Sequence, residues 1–187
     1  MQFPFRIRKG SKQDPSGLQG FNSYGVTSSQ TDDYCMYRDV PWQTVNEAYR
    51  ELEAEGELTV RVYEQCNFTE LSELKAFVEA GNVTGSGTEL FKVGPLKMLG
   101  DGALGARTAY LSRLIADDPS TADPVFPGGF DEMIGYANAH GMQAAVHAIG
   151  DACLDRVLDA MKGIKGASER GSQPWVCSLP DYPSGSA

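Results

Sequence analysis

The sequence predicts an α/β fold with a parallel sheet, and three observations carry that reading. Short apolar or alternating runs take turns with stretches of helical periodicity along the chain. Residues 143–149 (QAAVHAI) form a nearly continuous apolar run, the pattern of a parallel strand covered on both faces. Three helical stretches run into glycines, Gly56, Gly81 and Gly141, where a helix can close in the left-handed conformation.

The elements follow in order. Residues 1–20 are rich in Lys, Arg, Gln, Gly and Ser without periodicity and read as a loose arm. Residues 21–29 (FNSYGVTSS) carry β-branched and aromatic residues and read as a short strand. Pro41 opens a helix in which Val45, Ala48, Tyr49 and Leu52 recur at helical spacing. Residues 58–66 (LTVRVYEQC) alternate apolar with polar, a strand signature, and Thr69 is placed to cap the helix that follows. Residues 90–99 (LFKVGPLKML) read as a strand kinked at Gly94-Pro95. A long irregular segment, 100–129, comes next, of a length that usually serves a function. A helix over 130–140, the strand over 143–149, a turn at Gly150-Asp151 and a last helix complete the alternation, which implies right-handed crossovers. From residue 163 the pattern dissolves into a Gly-, Ser- and Pro-rich tail that reads as unstructured.

Composition sets the bounds. With 187 residues the chain suits one domain and falls short of the roughly 250 of a closed eight-stranded α/β barrel. Hydrophobic residues make up 41% of it, enough for a core. A net charge of -9 argues against nucleic acid, whose phosphates need clustered Lys and Arg. The four cysteines include no C-x-x-C pair and read as buried or incidental thiols. The basic start MQFPFRIRKG lacks the apolar stretch of a secretory signal, and no run approaches the ~20 apolar residues of a membrane span. The expectation is a soluble, cytoplasmic protein with no nucleic-acid and no membrane partner.

Functional side chains of parallel α/β folds gather at the carboxyl ends of strands. Lys97 lies near such an end among apolar neighbours, where an ammonium is costly to bury. It can act as a desolvated amine, become a metal-bridging carbamate, or simply snorkel outward. His147, inside AAVHAIGD, suits a metal ligand or general base, or else a satisfied core histidine. Asp151, four residues on, can orient a ligand or relay a proton. His140 sits at a helix end and reads as a dipole partner. Asp101, Gly102, Gly105 and Arg107 lie in a Gly-rich stretch that could cradle an anion, though it matches no phosphate-loop pattern.

The segments KMLGDGALGARTAYL and GMQAAVHAIGDACLDRVLDAM together resemble the amidohydrolase superfamily, in the branch related to N-substituted formamide deformylases. ELEAEGELTVRVYEQC and YGVTS are similar to that branch's preceding strands, so the likeness covers roughly residues 21–161. The resemblance implies a distorted α/β (TIM-like) barrel holding one or two divalent metals, usually zinc. There, metal-activated water attacks the C–N bond of a small amide other than a peptide. It puts His147 at the strand-end ligand and Lys97 at the position that can bridge metals as a carbamate. Asp151, Asp101 and Arg107 fall where the loop is organised or the ligands are supported. The departures concern the ligand set. There is no H-x-H, no histidine after His147, and no aspartate in a later barrel strand. Two histidines cannot build the usual three- or four-histidine site.

The organisation expected is therefore an arm over 1–20, a partial amidohydrolase barrel domain over 21–162 and a divergent tail over 163–187. Two functions follow. One is a hydrolase of C–N bonds in truncated form; the other is a non-catalytic half-barrel that binds, assembles or persists as a remnant. A third reading is an anion-binding α/β protein using Gly102, Gly105 and Arg107. Unpaired strand edges predict self-association.

Overall fold

The computed structural model describes residues 16–36, 40–113, 123–162 and 164, and the backbone of 175–177. Residues 1–15 of the expected arm and most of the expected tail lie outside the described residues. The fold is α/β, the parallel βα alternation of a partial TIM-barrel-like domain, with its strands in chain order β1-β2-β3-β4-β5. The chain divides into two compact units, and strand β3 (Phe91–Leu99) passes from the first into the second.

Unit 1 comprises residues 1–67 and 82–95. Helix α1 (Ser16–Ser23) occupies the stretch where an arm and a short strand were expected. Leu18 is fully buried, and Gly25 ends the helix at φ 75. Val26 N–H reaches back to Phe21 O at 3.0 Å and Gly25 N–H to Asn22 O at 3.0 Å, the paired bonds of a Schellman ending. The glycine in YGVTS therefore stops a helix, and strand β1 (Ser28–Thr31) begins beyond it. A short helix α2 (Asp33–Met36) follows, then α3 (Trp42–Ala54), opened by Pro41 as expected and closed at Gly56. Helix α3 buries Val45, Asn46, Ala48, Tyr49 and Leu52. Strand β2 (Arg61–Asn67) pairs parallel to β1, with Ser28 opposite Arg61 and Thr31 opposite Glu64. Its Val62, Glu64 and Cys66 are buried and its alternate residues are not. Tyr49 stacks on Phe91 with ring centroids 4.6 Å apart. Gly94 does not break β3; a Cβ there would stand 2.5 Å from the Glu64 carbonyl oxygen, so the close pairing of the strands requires glycine.

Unit 2 comprises residues 68–81 and 96–187. Helix α4 (Leu71–Glu79) starts at Glu70 without a side-chain cap, so Thr69 does not serve in the role the sequence suggested. Helix α5 (Phe130–Ala139) packs on α4, on strand β4 (Ala144–His147) and on helix α6 (Asp151–Lys162). Phe77, Leu96, Met133, Ile134, Ala137, Val146 and Val157 form its core. The second half of β3 pairs parallel to β4, with Lys97 opposite Ala145 and Leu99 opposite His147. Within the stretch expected to be unstructured tail, the backbone of Trp175–Cys177 forms strand β5, parallel to β4.

Candidate functional site

The parallel register decides which side chains of unit 2 can act together. Residues paired across a parallel ladder project to the same side, and residues two apart along a strand share a face. Lys97 and Leu99 on β3 therefore share one face with Ala145 and His147 on β4. Met98 and Val146, on the opposite face, are buried, whereas Lys97 and His147 are half-buried. The sheet thus holds a cationic side chain and an imidazole on one face, at the carboxyl ends of neighbouring strands.

Asp101 fixes the loops on either side. Its carboxylate is fully buried and accepts three backbone N–H groups. Oδ1 takes Ile149 N–H at 2.9 Å, and Oδ2 takes Gly150 N–H at 2.7 Å and Tyr110 N–H at 2.9 Å. One carboxylate so ties the turn after β4 to the segment after β3. The ring of His147 meets the next residue of the same loop, with Nε2 2.7 Å from the carbonyl oxygen of Gly102. A carbonyl only accepts, so Nε2 carries the hydrogen and Nδ1 is left as the basic nitrogen of the neutral ring. Asp101 Oδ1 lies 4.0 Å from Nε2, near enough to favour that tautomer.

The loop itself is closed by its own bonds. Gly102 N–H reaches Thr108 O at 2.9 Å, Thr108 N–H reaches Ala103 O at 3.0 Å, and Ala103 N–H bonds the Thr108 hydroxyl at 2.9 Å. Arg107, exposed, turns the chain at φ 57. The amides of Gly102, Ala103 and Arg107 are thereby spent inside the loop rather than offered to an anion. Gly105 is exposed, with open space where a Cβ would be. Asp151 faces another way. Its carboxylate accepts the Ser112 hydroxyl, Ser112 N–H at 2.8 Å and Ala152 N–H at 2.9 Å. The Ser112 hydroxyl chiefly, with these amides, holds its ionisation below the usual carboxylate range. The structure thus brings Asp101, Gly102 and His147 together, puts Lys97 on the same sheet face as His147, and engages Asp151 with the far end of the loop. His140 donates from Nδ1 to Tyr136 O at 2.8 Å, at the end of α5 as expected.

Unit 1 holds a polar cluster that sequence reasoning missed. Glu64, Asp33, Thr31 and Asn46 are all buried there, with the hydroxyls of Tyr34 and Tyr49 among them. The signal was present in LTVRVYEQC, whose alternation puts Glu64 on the same inward face as Val62 and Cys66.

Polar groups at the carboxyl ends of parallel strands, joined by long loops, define the class as an α/β barrel-type protein. The chain belongs to the amidohydrolase family, whose pattern it matches over residues 16–174. It is 33% identical over 143 residues to a Bacillus subtilis (strain 168) protein named "Putative amidohydrolase YtcJ", covering 74% of this chain. Two crystal structures of uncharacterized metal-dependent hydrolases are also similar. The Pyrococcus furiosus one aligns over 79% of this chain at 29% identity, and that from Pyrococcus horikoshii OT3 over 78% at 26%; each has a TM-score of 0.60. The chain spans 25% of the length of YtcJ, and 30% and 28% of the two structures.

The donor set tests whether a divalent metal fits. Among the described residues no three His, Cys, Asp or Glu side chains come together as a metal site. The Asp101 carboxylate is turned onto three amides, leaving His147 Nδ1 and the Lys97 side chain on the shared face. A catalytic zinc takes about three protein ligands, so the described donors do not complete a centre. Among the described residues no helix is long and apolar enough to cross a membrane.

Proposed function

We propose that this chain is the segment of a metal-dependent amidohydrolase barrel that contributes Lys97 and His147 to the metal centre. The full centre hydrolyses C–N bonds of small amides other than peptides, in the manner of the formamide deformylase-like branch. The observation that carries the reading is the β3–β4 register, which sets Lys97 and His147 on one face at neighbouring strand ends. Carbamylation of Lys97 would supply a carboxylate ligand there, and zinc suits an imidazole and a carboxylate. A second reading, that the 187-residue chain is a non-catalytic half-barrel, is favoured by the short donor set. The two are compatible, because the chemistry belongs to a centre that needs further ligands. The open strand edges favour self-association of the chain, and the cytoplasm is its proposed location.

Elemental analysis of the dialysed chain tests this. The expected result is less than one zinc per chain, lost in His147→Ala, with no turnover of a panel of N-formyl and N-acyl amides even with zinc supplied. Zinc retention unchanged in both His147→Ala and Lys97→Ala would remove these residues from the centre. Turnover that disappears in His147→Ala would overturn the half-barrel reading.

A further inference from the structure

Unit 1 buries two carboxyl groups against each other. Glu64 on β2 is 0% exposed and Asp33, at the start of α2, is 1% exposed, and their carboxyls lie within hydrogen-bonding reach. Glu64 is well supplied with donors. Its Oε1 accepts the N–H of Asp33 at 2.8 Å and of Tyr34 at 3.3 Å, and Oε2 accepts the Thr31 hydroxyl. Asp33 Oδ2 accepts the Tyr49 hydroxyl, while Asp33 Oδ1 has no hydrogen-bond partner. The Tyr34 hydroxyl is not available to it, being donated to Asn46 Oδ1 at 2.6 Å.

Among the described residues the surroundings offer no buried countercharge. Tyr34 on α2, Tyr49 and Asn46 on α3, Thr31 on β1, and Cys66 on β2 face the pair, and Asp32 adds a further acid. Among the described residues Arg50 on α3 acts on Tyr34 beside the pair, and it is exposed. Among the described residues neither carboxyl has an ion-pair partner. Two adjoining carboxylates without a cation are strongly disfavoured in a dry interior. An acceptor oxygen left alone beside another acceptor is satisfied at once if it carries a proton.

We propose that Asp33 and Glu64 bind one proton between them, carried on Asp33 Oδ1 and donated to Glu64, so that folded unit 1 is a proton-binding site emptied by unfolding. Burial is the largest cause and raises both groups above the ordinary carboxylate range, and at Glu64 repulsion from Asp33 adds to it. The sign follows. The proton's stabilisation is fully present below the unfolded carboxyl value of ~4 and is lost as pH rises through the folded value. The site therefore makes unit 1 more stable in mild acid than in alkali.

Infrared spectroscopy of the full chain at neutral pH tests it directly. The expected result is the carbonyl stretch of a protonated carboxyl, absent from Asp33→Asn. That variant imitates the protonated acid, since its amide nitrogen donates where the proton sat and its oxygen still accepts from Tyr49. In thermal melts from about pH 5 to about pH 8, wild type should lose roughly 3–5 °C relative to Asp33→Asn for each unit by which the folded value exceeds the unfolded one. No protonated-carboxyl band in wild type overturns the proposal. So does a variant whose melting falls with pH in parallel with wild type, or a chelator-sensitive melt without the band, which would mean a metal ion in the proton's place. Should Asp33→Asn not fold, the band in wild type and its pH titration decide alone.

Discussion

Each unit of the chain buries acid, and the two do it by different means. In unit 2 the single carboxylate of Asp101 receives three backbone N–H groups, from Tyr110, Ile149 and Gly150. In unit 1 two carboxyls face one another, served by side-chain hydroxyls and by two amides, and one oxygen is left unsatisfied. Backbone amides are fixed donors, so a carboxylate that collects three of them acts as a stitch between loops. Hydroxyls can turn, and paired acids can trade a proton, so the cluster of unit 1 answers to pH instead. The buried acid of unit 2 holds the candidate site in shape, whereas that of unit 1 sets the conditions under which its own unit is stable.

The most severe way to break this comparison is at the stitch. Asp101→Ala leaves three buried or part-buried N–H groups without acceptors, at about 1–3 kcal/mol each where water is excluded. The expected loss is on the order of 4 kcal/mol, read as a lower urea midpoint at unchanged slope. Asp101→Asn should fare nearly as badly, because its NH2 group would face amides that also donate. Asp33→Asn, by contrast, should cost little near neutral pH. Equal losses for the two asparagine variants would erase the distinction between the units.

Next in size are two of the glycines at which backbone meets backbone. A Cβ on Gly150 would stand 1.8 Å from Tyr110 O, and one on Gly94 would stand 2.5 Å from Glu64 O. Both are contacts with main chain that cannot swing aside, so each alanine should cost about 2–3 kcal/mol, with Gly150→Ala the worse. Thermal melting of the two variants checks the order. Gly150→Ala should in addition disturb the Asp101 stitch, seen as faster hydrogen exchange at Ile149.

Much of this architecture was legible in the sequence, and the parts that were not have identifiable causes. Helix ends at Gly56, Gly81 and Gly141 fell where expected, each at positive φ, because the left-handed turn is a local property that glycine announces. The same signal at Gly25 was overridden by the β-branched residues beside it, and α1 was lost to a strand reading. The strands bearing Lys97 and His147 were readable from apolar runs, and their shared face follows once the register is known. Asp101 was read as a loop organiser, but its amide partners at 149 and 150 lie 48 and 49 residues away, beyond any periodicity. Glu64 showed as an acid in an inward strand position. Its partners arrive from β1 and α2, and only folding brings them to it.

The smallest effect is expected at Asp151, and it sharpens the comparison because its pH dependence runs the other way. Asp151 is exposed at the first turn of α6, where its carboxylate joins Ser112 to the helix start through the Ser112 hydroxyl and amide and the Ala152 amide. Those donors favour the charged form and lower its ionisation range in the folded chain. The stabilisation is thus fully present above the unfolded aspartate value of ~3.9 and is lost as pH falls through the lower folded value. Exposure to water screens the interaction, so Asp151→Ala should cost about 0.5–1 kcal/mol at neutral pH, near the value of a helix cap. The loss should shrink as the pH is taken below ~4, where wild type gives up the same bonds. Asp33→Asn shows its advantage over wild type at the alkaline end, while Asp151→Ala shows its deficit there and loses it in acid. Melting curves of the two variants across pH should therefore diverge from wild type in opposite directions as pH rises, and curves that moved together would mean that net charge alone, rather than these two local arrangements, governs the stability of the chain.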